Sequence, residues 1–293
     1  MRGRTVLITG GSAGIGRETA IRLAQLGATV IIAARDEARG RRVVEEIRTG
    51  DGAGDAAWVR LDLASRASIR ACADEVLARW DRLDVLVNNA AVICAERLET
   101  EDGFEQTLGV NHLGHFLLTS LLVERLARSS PARIVNLSST LHWFVPFGLD
   151  FADLQSRRGY DGLVAYARSK LANVCFTREL ARRLDPARVT ANSLCPGMVD
   201  TRQAGGRGSP GTIGMAAELA RPFSLSPAAG ARAVVRLASS PALAGRSGGH
   251  WLMGFPALAS WAASDRAAAC RLWDASDALV RQGSAGRAWP AGC

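Results

Sequence analysis

The stretch that most constrains the chain lies at its start. Thr5-Val6-Leu7-Ile8, an apolar and β-branched run, passes directly into Thr9-Gly10-Gly11-Ser12-Ala13-Gly14-Ile15-Gly16, and a helical pattern follows. A strand that turns through glycines straight into a helix is the opening of a βαβ unit. Glycine lets the backbone bend sharply and approach a pyrophosphate closely. The helix that begins there presents unpaired N–H groups and the positive end of its dipole. A glycine-rich turn alone is an ordinary feature; between a first strand and a first helix it points to a dinucleotide. Gly10, Ser12, Ala13, Gly14, Ile15 and Gly16 are therefore assigned to cofactor binding.

The rest of the chain repeats that rhythm. Short β-rich runs alternate with longer helical patterns, which implies a parallel sheet. Strands are expected near 4–9, 28–34, 56–61, 83–88, 132–138, 188–194 and 249–252, and helices near 14–26, 37–49, 65–79, 102–128, 162–184, 226–239 and 260–281. Right-handed crossovers then give an α/β, doubly wound (Rossmann) parallel seven-stranded sheet with helices on both faces and ligands at the carboxyl ends of the strands. Two stretches break the rhythm: 140–161, an insertion with Trp143, Phe144, Pro146 and Phe147, and 200–225, a glycine-rich run expected to be a substrate lid. Residues 1–282 are read as one dinucleotide-binding and catalytic domain, and 283–293 as a loose tail.

Composition narrows the function classes. With 293 residues, 48% hydrophobic and 22% charged, a large core can be buried and disorder is not expected. No apolar run reaches the roughly 20 residues that span a bilayer. The first strand begins near Arg4, so neither a signal peptide nor an N-terminal anchor is expected, and the protein is read as cytoplasmic. Six cysteines (Cys72, Cys94, Cys175, Cys195, Cys270, Cys293) contain no C-x-x-C pair and read as reduced thiols. The net charge of +8 comes from arginines dispersed over the helices, without a basic run or nucleic-acid motif. No nucleic-acid partner is expected; the charge favours anionic cofactors instead.

The second strand ends Ala33-Ala34-Arg35-Asp36. An acid at this point would bind the adenosine ribose 2′-hydroxyl and select NAD, whereas a cation accommodates the 2′-phosphate of NADP. Ala34 offers no acid and Arg35 offers the planar fork that phosphate prefers, so NADP(H) is favoured over NAD(H). Asp36 is the complication: it reads as the N-cap of the next helix, or as an acid that weakens the preference. Asp62 and Leu63, after the third strand, are placed near the adenine, and Asn89, Ala90 and Ala91, after the fourth, beneath the cofactor.

Of 36 basic residues, 35 are arginine; Lys170 is the sole lysine, four residues after Tyr166, one of two tyrosines. On a helix those two share a face. Delivering hydride to a carbonyl leaves negative charge on oxygen, which needs a proton donor. A free phenol titrates near about 10, and a neighbouring ammonium favours its ionised form. Tyr166 and Lys170 are thus an acid–base pair, and the spacing is improbable by chance in so lysine-poor a chain.

At this point the chain resembles the short-chain dehydrogenase/reductase family. Thr9 to Gly16 is similar to its T-G-x-x-x-G-x-G turn, Asn88-Asn89-Ala90-Ala91 to its N-N-A-G segment, and Tyr166 to Lys170 to its active-site pair. Ser139, in Ile134-Val135-Asn136-Leu137-Ser138-Ser139, matches its catalytic serine, and Asn111 its catalytic asparagine. Pro196-Gly197-Met198-Val199-Asp200-Thr201 is similar to the P-G motif bordering the nicotinamide, which brings Pro196, Gly197, Val199 and Thr201 to the cofactor set. Ser169-Lys170-Leu171-Ala172-Asn173 and Arg271-Leu272-Trp273-Asp274 look like the retinol dehydrogenase branch. Ala91 replaces the last glycine of N-N-A-G, Cys195 stands where that branch usually has histidine, and the missing anchor suggests a soluble, bacterial-type member.

The resemblance implies that Tyr166 exchanges the proton, Lys170 lowers its pKa and binds the nicotinamide ribose, Ser139 holds the carbonyl, and Asn111 supports a water path to Lys170. It also implies homodimers or homotetramers, although 140–161 and the C-terminal segment could block helix pairing, so a monomer stays open. The substrate is expected to be a small lipophilic or aromatic ketone or aldehyde, or its alcohol, with Trp143, Phe144, Phe147, Met198 and the lid lining the site; the alternative is that Trp143 and its neighbours only pack the insertion. The alternatives are an NAD-dependent alcohol dehydrogenase acting oxidatively and a cofactor-binding scaffold without turnover. His112 and His115 are three apart on a helix, but no Cys or acid sits at a useful offset and no metal is expected. His142 is read as either a substrate contact or an exposed loop residue, and His250 begins the last expected strand with no evident role.

Overall fold

Apolar strand residues that alternate between two hydrophobic layers dictate the architecture. The computed structural model describes residues 1–197, 225–282 and Trp289. Eight strands form the sheet among these residues: β1 (Thr5–Thr9), β2 (Thr29–Ala34), β3 (Asp55–Arg60), β4 (Val85–Asn88), β5 (Ala132–Leu137), β6 (Val189–Cys195), β7 (His250–Leu252) and β8 (Phe255–Ala257). Their order is β3-β2-β1-β4-β5-β6-β7-β8, parallel from β3 to β7. The register runs Val6↔Val30 and Val6↔Val85, so the apolar runs of neighbouring strands lie side by side.

On β1, Val6 and Ile8 face one layer and Leu7 the other. The first layer packs on α1 (Gly14–Gln25) and α2 (Glu37–Thr49), as Leu23 and Val43 show. The second packs on α3 (Arg66–Arg79), α5 (Gly114–Arg128) and α6 (Gly162–Arg183), through Val76, Phe116 and Leu180. Pro227–Ser239 (α7) closes the first layer through Val234 and Leu237. A strand buried on both faces reads as a continuous apolar run, as Val6-Leu7-Ile8 of β1 and Val30-Ile31-Ile32 of β2 do.

The helices start where their caps stand. Asp36, Ser65, Asp161 and Ser226 each accept a hydrogen bond from a backbone N–H of the first turn. The long helical pattern expected from 102 begins instead at Gln106–Leu108 (α4). The Glu105 carboxylate caps it, accepting from Thr107 N at 2.8 Å and Leu108 N at 2.7 Å. A π-helical turn, Gly109–Leu113, joins α4 to α5.

The sheet has one strand more than expected. Phe255–Ala257 folds back antiparallel on β7, pairing Leu252 with Phe255. Only three residues long and containing Pro256, it gives no strand signal, and it stands at the sheet edge where proline is tolerated. Beyond it, Trp261–Ser264 (α8) and Arg266–Arg281 (α9) lie against α6. A third cluster there joins Val145 and Leu149 of the 140–161 segment to Leu171, Ala262 and Leu272. Of the tail, Trp289 is the residue described; it is buried, its ring 4.4 Å from that of Trp273. No helix among the described residues is long and apolar enough to cross a membrane.

Candidate active site

The glycine turn after β1 is built to be narrow below and open above. Gly14 sits at φ +53°, and a Cβ added there would meet nothing within 4 Å. Gly16 is the opposite case: a Cβ would stand 2.4 Å from the Gly10 carbonyl oxygen and 2.7 Å from Asn89 Nδ2. Ala13, the N-cap of α1, offers no side-chain cap. The first N–H groups of that helix are left without a side-chain acceptor, which is what an anion needs. Ser12, Ala13, Gly14 and Ile15 are all partly exposed along this opening.

Thr9 welds the turn to the end of β4. Its hydroxyl accepts from Asn89 N at 2.9 Å and Ala90 N at 3.0 Å, and Asn89 Nδ2 donates to the Thr9 carbonyl at 2.8 Å. Ala91 is exposed beside them. At the end of β2, Arg35 is exposed, and Asp36 is turned onto α2: its carboxylate accepts from Arg39 N at 2.9 Å and Arg39 Nε at 2.6 Å. Those bonds hold its pKa below the usual carboxylate range. Asp62 is half-buried and accepts from Ala64 N at 2.9 Å, and Leu63 is buried with its carbonyl against Gly114. This outline suits a dinucleotide: a bare helix start, an open glycine and, at the second strand, a cation with no ion-pair partner among the described residues.

The expected chemical residues converge at the carboxyl end of β5. Tyr166 and Lys170 lie one turn apart on α6, with Lys170 Nζ 5.4 Å from the phenol ring centroid. Lys170 is buried and donates to the Leu137 carbonyl at 3.3 Å, and Asn173 donates to the same oxygen at 3.1 Å. Ser139 stands near the Tyr166 phenol, close enough for its hydroxyl to act on that group. Asn111 braces the assembly from the π-turn. Its amide exchanges two bonds with the Val92 backbone (2.8 and 2.9 Å) and donates to Ser169 Oγ at 3.0 Å. Ser169 in turn donates to the Tyr166 carbonyl at 2.7 Å.

The electrostatics differ from expectation in one respect. Desolvation pushes the phenol up to about 12, and the Ser139 hydroxyl pulls against it; no lowering by Lys170 is found. The same burial brings the ammonium down to about 8. In the protein alone, therefore, burial outweighs the attraction between phenolate and ammonium, and Tyr166 rests as a proton-bearing donor. The Cys195 thiol stands close enough to act on both groups, a neighbour that the sequence reading marked only as a departure.

The histidines separate by partner. His112 and His115 diverge: His112 Nε2 lies 2.8 Å from Ser276 Oγ, whereas His115 Nε2 lies 2.8 Å from Thr9 Oγ1. His115 Nδ1 is 3.0 Å from the Asn111 carbonyl, which can only accept. Nδ1 therefore carries the proton and Nε2 accepts from the Thr9 hydroxyl. One neutral imidazole thus links the cofactor turn to Asn111, and the four-residue spacing from Asn111 was the available sequence signal. His142 is neither exposed nor directed to solvent; it is buried, with both ring nitrogens engaged.

Pro196 is buried and Gly197, at φ +92°, follows it beside Leu225 and Met253. Met198, Val199, Thr201 and nearly all of the expected 200–225 lid lie outside the described residues. Trp143, Phe144 and Phe147 are exposed, by 49%, 74% and 98%. They stand on the surface with Leu258 and Trp261 of the neighbouring C-terminal segment instead of packing the insertion.

Comparison with known proteins agrees with this geometry. The chain is 42% identical to human retinol dehydrogenase 14, over 96% of this chain and 87% of that protein. Among solved structures, a protein of Mycobacterium paratuberculosis superposes with a TM-score of 0.74 at 34% identity, covering 96% of this chain and 94% of that one. RhlG of Pseudomonas aeruginosa, in an NADP active-site complex, matches with a TM-score of 0.67 at 28% identity, covering 86% and 94%. The similar retinol dehydrogenases are human and murine, so they give no support to the bacterial assignment. The family model for short chain dehydrogenases matches residues 4–209, and the chain belongs to that family.

Proposed function

We propose that the protein is an NADP(H)-dependent oxidoreductase that interconverts a lipophilic or aromatic ketone or aldehyde and its alcohol, working as a carbonyl reductase. The observation that carries this reading is the convergence of a proton-bearing Tyr166, the buried Lys170 and the Ser139 hydroxyl at the strand ends beside an open dinucleotide turn. A dinucleotide held there supplies the hydride. Tyr166 gives its proton to the developing alkoxide, and Ser139 donates a hydrogen bond to the same oxygen. Lys170 carries positive charge beside the phenol and would hold the nicotinamide ribose of a bound dinucleotide, while Asn111 keeps α6 in place through Ser169.

The NADP preference rests on Arg35 standing free while Asp36 is committed to Arg39. The apolar substrate class rests on the aromatic rim of Trp143, Phe144 and Phe147. The name of the human relative, retinol dehydrogenase, favours a second reading in which a lipophilic alcohol is oxidised. A panel of carbonyl compounds with NADPH, and of their alcohols with NADP⁺ and NAD⁺, separates the two directions. Tyr166→Phe is expected to bind NADPH as before and to lose nearly all turnover, by about 100-fold or more. Undiminished turnover in that variant removes Tyr166 from the chemistry.

A further inference from the structure

Ser139 is held by His142, a side chain that the sequence offered only as a substrate contact or an exposed loop residue. The residue follows β5 in an extended conformation, φ −150° and ψ 155°, and opens one turn of 3-10 helix, Thr140–Phe144. Its hydroxyl oxygen accepts from Leu141 N at 3.2 Å, which leaves the hydroxyl proton for the reacting oxygen. Its carbonyl accepts twice from one residue: from His142 N at 3.2 Å and from His142 Nδ1 at 2.6 Å.

The tautomer follows from the partners. A carbonyl only accepts, so Nδ1 bears the proton. Nε2 is then a lone pair, and it accepts from the Ser260 backbone N–H at 3.1 Å, 118 residues away. The ring is 1% exposed and packs at 4.9 Å and 67° against His250, whose Nδ1 lies 2.9 Å from Ser193 Oγ. A single neutral imidazole therefore ties the loop that presents Ser139 to the start of α8. Ser260 is itself buried and caps that helix.

We propose that His142 is a positioning residue for the reaction. By clamping the Ser139 carbonyl to Ser260, it fixes the direction of the Ser139 hydroxyl toward Tyr166 and the substrate oxygen. The inference rests on the oxidoreductase reading above and adds to it a residue that never touches substrate. Burial, which lowers the pKa of this imidazole, keeps it in the neutral form that the two bonds require. A catalytic group misplaced by about 1 Å can cost about 100-fold in rate, because an oxyanion donor must stand at hydrogen-bond distance from the developing charge.

The test uses single-turnover NADPH oxidation with an active carbonyl compound from the panel, in the wild type, His142→Ala, His142→Asn, Ser139→Ala and the Ser139→Ala/His142→Ala double variant. NADPH affinity and thermal midpoint are measured for each. His142→Ala is expected to lower the rate by about 10- to 100-fold with NADPH affinity little changed. His142→Asn, whose amide can still donate to the Ser139 carbonyl, is expected to recover most of that loss. In the Ser139→Ala background the same His142→Ala change is expected to cost less than about twofold, since its target is gone. An unaltered rate in His142→Ala, or an equal loss with and without Ser139, overturns the proposal. If His142→Ala does not fold, the His142→Asn and His142→Gln pair carries the comparison, with the Gln amide reaching Ser260 but not Ser139. A Ser139→Ala variant with full activity defeats the parent reading instead, and the two failures are told apart by that one measurement.

Discussion

At the scale of single residues, the candidate site divides into what spacing reveals and what only folding brings together. Tyr166 and Lys170 were legible because one helical turn fixes their relation and because an arginine-rich chain retains one lysine. Arg35 was legible from its place after a strand, but the behaviour of Asp36 was not. It read as a helix cap that could still weaken the NADP preference, and the carboxylate is found on Arg39 N and Nε. That commitment leaves Arg35 as the uncompensated charge at the end of β2. Arg35→Ala is therefore expected to weaken NADPH binding by about tenfold, the loss of a charge-assisted contact at an exposed site, and to leave NADH binding within twofold. Equal effects on both dinucleotides in a fluorescence titration would refute the assignment. Beyond the four-residue spacing of His115 from Asn111, the long-range links of His142 and His115 had no such signature. Their partners lie 118 and 106 residues away, and a hydrogen bond across that distance in sequence leaves no periodic trace.

Elements were read more faithfully than residues, because hydrophobic periodicity is a property of many positions at once. Seven strands and the long helices fall where the apolar runs and caps place them. The failures have local causes: β8 is three residues with a proline, and the helix expected from 102 waits for the Glu105 cap. The π-turn at Gly109–Leu113, which carries the buried Asn111, was equally hidden, because all of its residues and the first two turns of α5 are buried and show no polar face to mark the shift. The glycine turn shows how an element stores a functional demand. Gly16→Ala would drive a methyl into the Gly10 carbonyl and Asn89 Nδ2, contacts of 2.4 and 2.7 Å that no rotamer relieves. Either α1 shifts or the Thr9–Asn89 weld opens. The variant is expected to lose NADPH affinity by more than about tenfold and to cost about 1–3 kcal/mol of stability, the usual price of overpacking a tight backbone contact. Gly14→Ala, strained by its φ but with open space, is expected to be milder on stability. A calorimetric ranking in the reverse order would contradict the packing argument.

Over the whole molecule, buried imidazoles join parts of the doubly wound sheet that the apolar layers also hold together. His112 joins α9 to the π-turn through Ser276, His115 joins that turn to β1 through Thr9, and His250 joins β7 to β6 through Ser193. Burial lowers these three from 6.5 to about 4, about 3 and about 4. In the unfolded chain each takes up a proton near 6.5; in the fold each resists until roughly 3–4. Between those limits the unfolded state binds more protons, so stability must rise with pH across the window and fall on acidification. The carboxylates held below their ordinary range, Asp84 and Glu179, add to the loss only below about pH 4.5, so the onset belongs to the imidazoles. From pH 7 to pH 5 each is expected to remove about 2 kcal/mol from the unfolding free energy. Urea unfolding at the two pH values should show that loss with an unchanged slope, and His112→Asn should return about one imidazole's share of it. Equal midpoints at pH 7 and pH 5 would mean that these rings already carry charge in the fold, and that burial does not hold them neutral.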